Sequence, residues 1–309
     1  IGGSSIRATP AYDNGVKYIP TMGAGGSIYS GWALFNGNEH IFQYLGDGSF
    51  FHSGRGAIQS CIQGEVNITF LLLFNGVVAL TGGQNPGGAR SISDVVNELS
   101  GLGVNQIGIV CSDPKEYDHL RKQNVELFDF SQHSSALDVF KKIEGTSVLI
   151  LDKECATERG RRQRRSNIFP QRYIMINDEI CEGCGDCYTK SEGCAALSPI
   201  ETKWGEKTRV SQTNCSQDEL CIDGECPSFV VVKPNKGVTL KKRRPKDTMV
   251  LPEPKLQATG DSYTIYAVGR GGTGVVTFSH LIAYAAMIEK KYVYLSNNTG
   301  LAQKGGPVE

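Results

Sequence analysis

Seven of the ten cysteines in this 309-residue chain fall between Cys181 and Cys226, and the first three are spaced Cys181-x2-Cys184-x2-Cys187. That spacing lets one loop deliver three thiolates to a cube of iron and sulfide. Cys194, Cys215, Cys221 and Cys226 complete the group, and the last is followed directly by Pro227. In two-cluster iron–sulfur proteins the cysteine before that proline ligates the cluster of the other motif. Chain crossing therefore assigns Cys181, Cys184, Cys187 and Cys226 to one 4Fe–4S cluster and Cys194, Cys215 and Cys221 to a second. Cys215 and Cys221 stand six positions apart, with Asp218 where a middle cysteine would be. The fourth iron of the second cluster then takes Asp218 or solvent and is its labile corner, prone to loss as a 3Fe–4S species. The six-residue gap after Cys187 and the four-residue gap after Cys221 exceed the usual three, so the pairing is inferred. A zinc knuckle and a disulfide scaffold are the alternatives. Zinc asks for four ligands per site, commonly as paired Cys-x2-Cys, and disulfides ask for an even count. Seven thiols in one block suit neither well; one-electron transfer suits them best.

A second constellation lies upstream. Gly46-Asp47-Gly48 follows the apolar run Ile41–Leu45, and Asn75-Gly76 closes the run Ile68–Phe74, with Asn75 placed 28 positions after Asp47. If both runs are parallel strands, both loops open at the carboxyl edge of the sheet, where ligands bind. An Asp carboxylate, an Asn side-chain oxygen and a backbone carbonyl, here Val77, make a half-shell of hard oxygen ligands. Such a shell suits magnesium when a diphosphate supplies the remaining oxygens. Glycine at 46, 48 and 76 lets backbone amides approach phosphate. His52 is the only histidine beside this loop. It is a candidate for proton exchange with a substrate, or a histidine hydrogen-bonded in a packed loop.

The elements that would position these residues follow from alternation. Ile41–Leu45, Ile68–Phe74, Gln106–Cys111, Val125–Phe128 and Ser147–Leu151 read as strands. Gly54–Gln63, Ser93–Leu99, Lys115–Lys122 and Ala136–Ile143 read as helices between them. Strands separated by helices predict an α/β, doubly wound parallel sheet over residues 1–166. Residues 167–235 hold the cysteines, 236–260 read as a Lys-, Arg- and Pro-rich linker, and 261–309 begin a further α/β domain. That last part is expected to open with a strand Tyr263–Val268, a glycine turn at Gly269-Arg-Gly-Gly-Thr-Gly274, a helix, and a second strand Lys291–Leu295. The turn matches the dinucleotide fingerprint. The second strand, however, ends in Ser296-Asn297-Asn298 rather than in the acid that would hold a ribose. A glycine-built turn without nicotinamide is the expected reading.

These residues carry a family resemblance. Gly46-Asp-Gly-Ser-Phe-Phe-His-Ser-Gly54, Asn75 and Thr81-Gly-Gly-Gln84 resemble the thiamine diphosphate-binding domain of 2-oxoacid:ferredoxin oxidoreductases. The cysteine block ending Cys226-Pro-Ser-Phe229 is similar to that of the large fused indolepyruvate ferredoxin oxidoreductases. Gly269–Val276 and Thr299–Gly306 resemble the start of their gamma-type domain. The resemblance implies a small two-cluster ferredoxin-like domain after the thiamine fold. It also implies magnesium held by Asp47, Asn75 and the Val77 carbonyl, with Gly46, Gly48 and Gly76 shaping the diphosphate site. The implied activity is oxidative decarboxylation of an aryl 2-oxoacid with coenzyme A to an acyl-CoA, the electrons leaving through the clusters to ferredoxin. A cysteine-bearing stretch expected before the first strand and the domain that holds the cofactor's pyrimidine are not in the sequence. The chain therefore reads as an internal piece, expected to bind cofactor poorly and not to turn over alone, and its parent as a homo-oligomer. A non-oxidative thiamine decarboxylase or synthase fused to a cluster domain, and an electron-transfer module without thiamine chemistry, are the competing functions.

Bulk properties narrow the field. Lys and Arg number 32 and Asp and Glu 32, so no global attraction to nucleic acid or membrane follows. No apolar run approaches the 18 residues of a membrane span. With no signal peptide, iron-ligating thiolates place the chain in the reducing cytoplasm. The run Arg159-Gly-Arg-Arg-Gln-Arg-Arg165 is expected as solvated surface or linker, its functional alternative being a docking patch for an acidic ferredoxin. Cys61, Cys111 and Cys155 read as small core residues.

Overall fold

Apolar runs of strand length form a five-stranded sheet: β1 (Ile41–Gly46), β2 (Ile68–Phe74), β3 (Gln106–Cys111), β4 (Val125–Asp129) and β5 (Thr146–Asp152). Every pairing is parallel, and the spatial order is β1-β2-β5-β3-β4. This computed structural model describes residues 21–79, 83–166, 172–191, 193–217, 219–222, 226–234, 262–270, 273–297 and 307–308. The chain divides into two compact units, Ile1–Glu154 with Ile265–Glu309, and Cys155–Thr264.

The continuous apolar character of β2 has a simple cause: the strand is covered on both faces, and residues 68–72 are all buried. Because side chains alternate along a strand, Phe70, Leu72, Ile109, Val148 and Ile150 form one core. They share it with Tyr29 of α1 (Ser27–Trp32), Ile58 and Cys61 of α2 (Arg55–Gln63), and Val95, Val96 and Leu99 of α3 (Ile92–Leu102). Leu71, Val110 and Leu149 face the other way and pack on Ala136 and Phe140 of α4 (His133–Phe140). Helices therefore lie on both faces, as a doubly wound sheet requires. Gly108 on β3 makes room for this packing, since a Cβ there would sit 2.6 Å from the Phe140 ring. Ser91 and Asp94 cap α3 reciprocally, and Gly103, at φ 91°, ends it. The stretch expected as a helix at Lys115–Lys122 is a 3₁₀ segment, Pro114–Gln123, opened by the Asp113 side chain.

In the second unit, α5 (Ala156–Ser166) precedes β6 (Tyr173–Ile176), which pairs antiparallel with β9 (Phe229–Val232). Between them lie α6 (Asp186–Lys190) and the hairpin of β7 (Leu197–Thr202) and β8 (Gly205–Val210). A small core of Ile174, Ala196, Leu197, Val210, Cys215 and Cys221 closes it.

The last described segment departs from expectation. Gly274, at φ 93°, opens α7 (Val275–Ile288), and two short strands, β10 (Gly269–Arg270) and β11 (Pro307–Val308), pair antiparallel. Tyr263–Val268 and Lys291–Leu295 are not strands. Strand structure comes from ladder bonds and covered faces, and neither run has a ladder partner among the described residues. Tyr263, Tyr266, Tyr292 and Tyr294 are 69%, 74%, 97% and 85% exposed. Asp218, Thr81, Gly82, Gly271, Gly272, the 236–260 linker and Thr299–Gly306 lie outside the described residues. Among the described residues no helix is long and apolar enough to cross a membrane.

Candidate functional site

β1 ends at Gly46, and Asp47 opens a turn (Asp47–Ser49) that runs through a π-helical segment, Phe50–Gly54, into α2. Asp47 is only 2% exposed. Its Oδ2 accepts hydrogen bonds from the Asn75 amide at 3.0 Å and the Gly76 amide at 2.7 Å, and its Oδ1 from the Gly48 amide at 2.7 Å. Parallel pairing of β1 with β2 produces this meeting, since both strands end at one edge. The Asn75 side-chain oxygen accepts from the Val77 amide at 3.1 Å. Gly76 holds φ 73°, the left-handed region that favours glycine. A Cβ on Gly48 would come within 3.1 Å of Val78 Cγ2, so the two loops are in close contact.

Burial raises the Asp47 carboxyl above its ordinary value, and the amides of Asn75, Gly48 and Gly76 pull it back. Among the described residues no basic side chain pairs with it. A buried carboxylate held by amides alone is under-compensated, and a divalent cation is the natural complement. Oδ1, which accepts one amide, keeps a second lone pair free. Asp47, Asn75 and Val77 thus fit the magnesium half-shell in donor chemistry, and the Asp47 and Asn75 loops meet at one edge.

The π segment is pinned from behind. The Arg55 guanidinium pairs bidentately with Glu98 of α3, donates to the Phe51 carbonyl at 2.9 Å, and lies 4.9 Å from the Phe50 ring. Phe50 and Phe51 are buried, whereas His52 is exposed, its Nδ1 lying 2.8 Å from Ser53 Oγ.

Sequence reasoning passed over Asp152 and Tyr117. Asp152 ends β5 in register with Phe74, beside Asn75, and accepts a hydrogen bond from the Tyr117 hydroxyl at 2.6 Å. Burial, then this acceptor, push the tyrosine hydroxyl far up, and burial pushes the neighbouring Cys111 thiol up to about 11. The available signal was an acid closing the apolar run Val148–Leu151 at the ligand edge. Of the three cysteines expected in cores, Cys61 and Cys111 are buried, while Cys155 is half-exposed.

Pairing of β6 with β9 returns the end of the cysteine block to its start. The Asn177 amide donates to the Ser228 carbonyl at 2.8 Å, and the Cys181 amide to the Asn177 carbonyl at 2.9 Å. Cys226 therefore comes back beside the first motif. Burial pushes the Cys187 thiol up, a bond with Thr208 pulls it down, and the nearby Cys181 and Cys226 thiols add to the upward push. The Gly183 amide lies 3.4 Å from Cys181 Sγ, and Gly183 has no room for a side chain, its Cβ position being 2.5 Å from the Glu206 carbonyl. Cys187, Cys194, Cys215 and Cys221 line the same small core, and all ten cysteines are free thiols. Among the described residues no three His, Cys, Asp or Glu side chains converge on one ion. Each ligand of a cube binds its own iron, so its sulfurs need not converge. Thiolates, an amide aimed at sulfur and an apolar lining fit such a cluster.

Residues 5–116 match the model of the thiamine pyrophosphate enzyme C-terminal TPP-binding domain, and residues 264–309 that of pyruvate ferredoxin/flavodoxin oxidoreductase. Indolepyruvate oxidoreductase subunit IorA of Pyrococcus abyssi is 32% identical over 171 residues, covering 52% of this chain and 23% of that protein. Its counterpart in Pyrococcus horikoshii is 28% identical over 185 residues, covering 57% and 25%. The chain spans about a quarter of the length of these relatives. The parallel sheet and the domain match together define an α/β domain of the thiamine diphosphate-binding kind. Within that comparison, the similar curated proteins are indolepyruvate oxidoreductase subunits of archaea.

Proposed function

We propose that this chain is the cofactor-holding and electron-conducting part of an enzyme that oxidatively decarboxylates an aryl 2-oxoacid of the indolepyruvate type. The 2-oxoacid and coenzyme A become an acyl-CoA, carbon dioxide, a proton and two electrons, which leave singly to ferredoxin. Bound thiamine diphosphate supplies the carbon nucleophile and the electron sink. Asp47, Asn75 and the Val77 carbonyl hold magnesium against its diphosphate, and the Gly48 and Gly76 backbone shapes the cradle. His52 exchanges a proton with substrate. Cys181, Cys184, Cys187 and Cys226 hold one 4Fe–4S cluster, and Cys194, Cys215 and Cys221 a second, with Asp218 or solvent at its fourth iron.

The observation that carries this reading is the buried Asp47 carboxylate tied to the Asn75–Gly76 amides, in a chain that also brings Cys226 back to Cys181. Two-electron chemistry beside one-electron carriers accounts for both in one polypeptide. The test is ferredoxin reduction by the full-length protein under anaerobic conditions, which is expected to require both an aryl 2-oxoacid and coenzyme A. Carbon dioxide release without ferredoxin reduction would replace this reading with a non-oxidative decarboxylase. Ferredoxin exchange without thiamine dependence would leave an electron-transfer module.

A further inference from the structure

Two basic side chains reach the two halves of the cysteine block in the same way. Lys207 of β8 donates from Nζ to the carbonyl of Cys181, the first cysteine of one motif, at 2.6 Å. Arg159 of α5 donates to the carbonyl of Cys215, a cysteine assigned to the second cluster, at 2.5 Å, and to that of Ser216 at 2.9 Å. Both side chains are half-buried. Nearby arginines are neutralised: Arg161 pairs with Glu158 at 3.1 Å and Arg172 with Glu219 at 2.5 Å. Among the described residues Lys207 and Arg159 pair with no carboxylate. Two cationic side chains are thus held by main-chain carbonyls at loops that carry cysteines, one for each proposed cluster.

We infer that Lys207 and Arg159 set the reduction potentials of the two clusters, each acting on its own. The inference rests on the two-cluster reading above. Reducing a 4Fe–4S cluster by one electron adds a unit of negative charge and exchanges no atoms, so a fixed cation nearby favours the reduced form. Partial burial keeps solvent from screening that charge fully. Arg159 is thereby separated from others of its basic run: it serves the second cysteine loop, while Arg161 pairs with Glu158 and Arg162 and Arg165 are exposed.

The test is an EPR-monitored redox titration of the anaerobically prepared chain, with iron counted on each sample. Lys207→Met and Arg159→Gln are each expected to lower one midpoint by at least tenfold in the reduction equilibrium, about 59 mV for one electron. The two variants are expected to move different clusters. Lys207→Arg and Arg159→Lys keep the charge and are expected to hold the wild-type potentials. Unmoved potentials, a shift of the same cluster by both variants, or equal shifts in the charge-keeping pair would overturn the inference. Lys207→Gln and Arg159→Met provide a second pair, and loss of iron in both variants at a position would assign that residue a purely structural role instead. A wild-type chain that holds no iron would remove the cluster reading itself.

Discussion

The Oδ2 atom of Asp47 accepts the Gly76 amide at 2.7 Å, tying the end of one strand to the loop after the next. Burial holds this carboxyl above its ordinary value. An acid with a raised folded pKa gives the cation-free chain stability at low pH that is lost as pH rises through that value. Cation binding needs the ionised form and so runs the other way. Magnesium-dependent thiamine diphosphate binding, followed by tryptophan quenching, is expected to weaken on acidification before an ordinary aspartate would titrate. Asp47→Asn is expected to cost tenfold or more in affinity at neutral pH, about 1.4 kcal/mol. Unchanged affinity in that variant would remove Asp47 from the metal shell.

Gly76 at φ 73° cannot take a side chain without strain. Gly76→Ala is expected to destabilise the sheet unit by about 1–2 kcal/mol and to displace an amide that holds Asp47. Denaturant unfolding measures the first effect, and cofactor titration the second.

Arg55 joins α2 to Glu98 and to the Phe51 carbonyl, and its side chain is 32% exposed. Arg55→Met keeps the packing stem and loses the charged hydrogen bonds. A loss of about 1–3 kcal/mol is expected, with Glu98→Gln milder, as thermal unfolding would show.

A Cβ at Gly108 would lie 2.6 Å from the Phe140 ring. Gly108→Val is expected to cost about 1–3 kcal/mol by overpacking, and Phe140→Ala about 3–5 kcal/mol by leaving a cavity. In the double variant valine fills part of that cavity, so the combined loss should fall short of the sum. Strict additivity would show that the two sites do not share the space.

At the opposite edge of the sheet, a ring nitrogen of His40 lies 2.9 Å from Thr69 Oγ1, which contacts Ser147 Oγ at 2.7 Å. Burial, then the charge of Lys141, lower its pKa from 6.5. The unfolded chain therefore takes up a proton first as pH falls. Stability is expected to decline below pH 6.5 until the folded pKa is reached. His40→Gln should flatten that slope in thermal unfolding across the same range.

The five strands were legible because each is a short apolar run closed by turn residues, and β2 in particular could be buried only on both faces. Asp47, Asn75 and the cysteines stood out because their chemistry depends on residue type at fixed spacing. The runs Tyr263–Val268 and Lys291–Leu295 carry equally apolar patterns and form no strand, because a ladder needs a partner that a local pattern does not supply.

Local spacing alone determined which residues could ligate iron and which strand ends could hold a divalent cation, since both depend on short stretches of backbone. Contacts between distant segments were decided only in three dimensions. Asp152 reaches the ligand edge through the β5–β2 register, Arg55 meets Glu98 across 43 positions, and Arg159 finds the Cys215 carbonyl across 56. A guanidinium donates to whichever acceptor the fold brings within reach, and the basic run itself carries no mark of which arginine that will be.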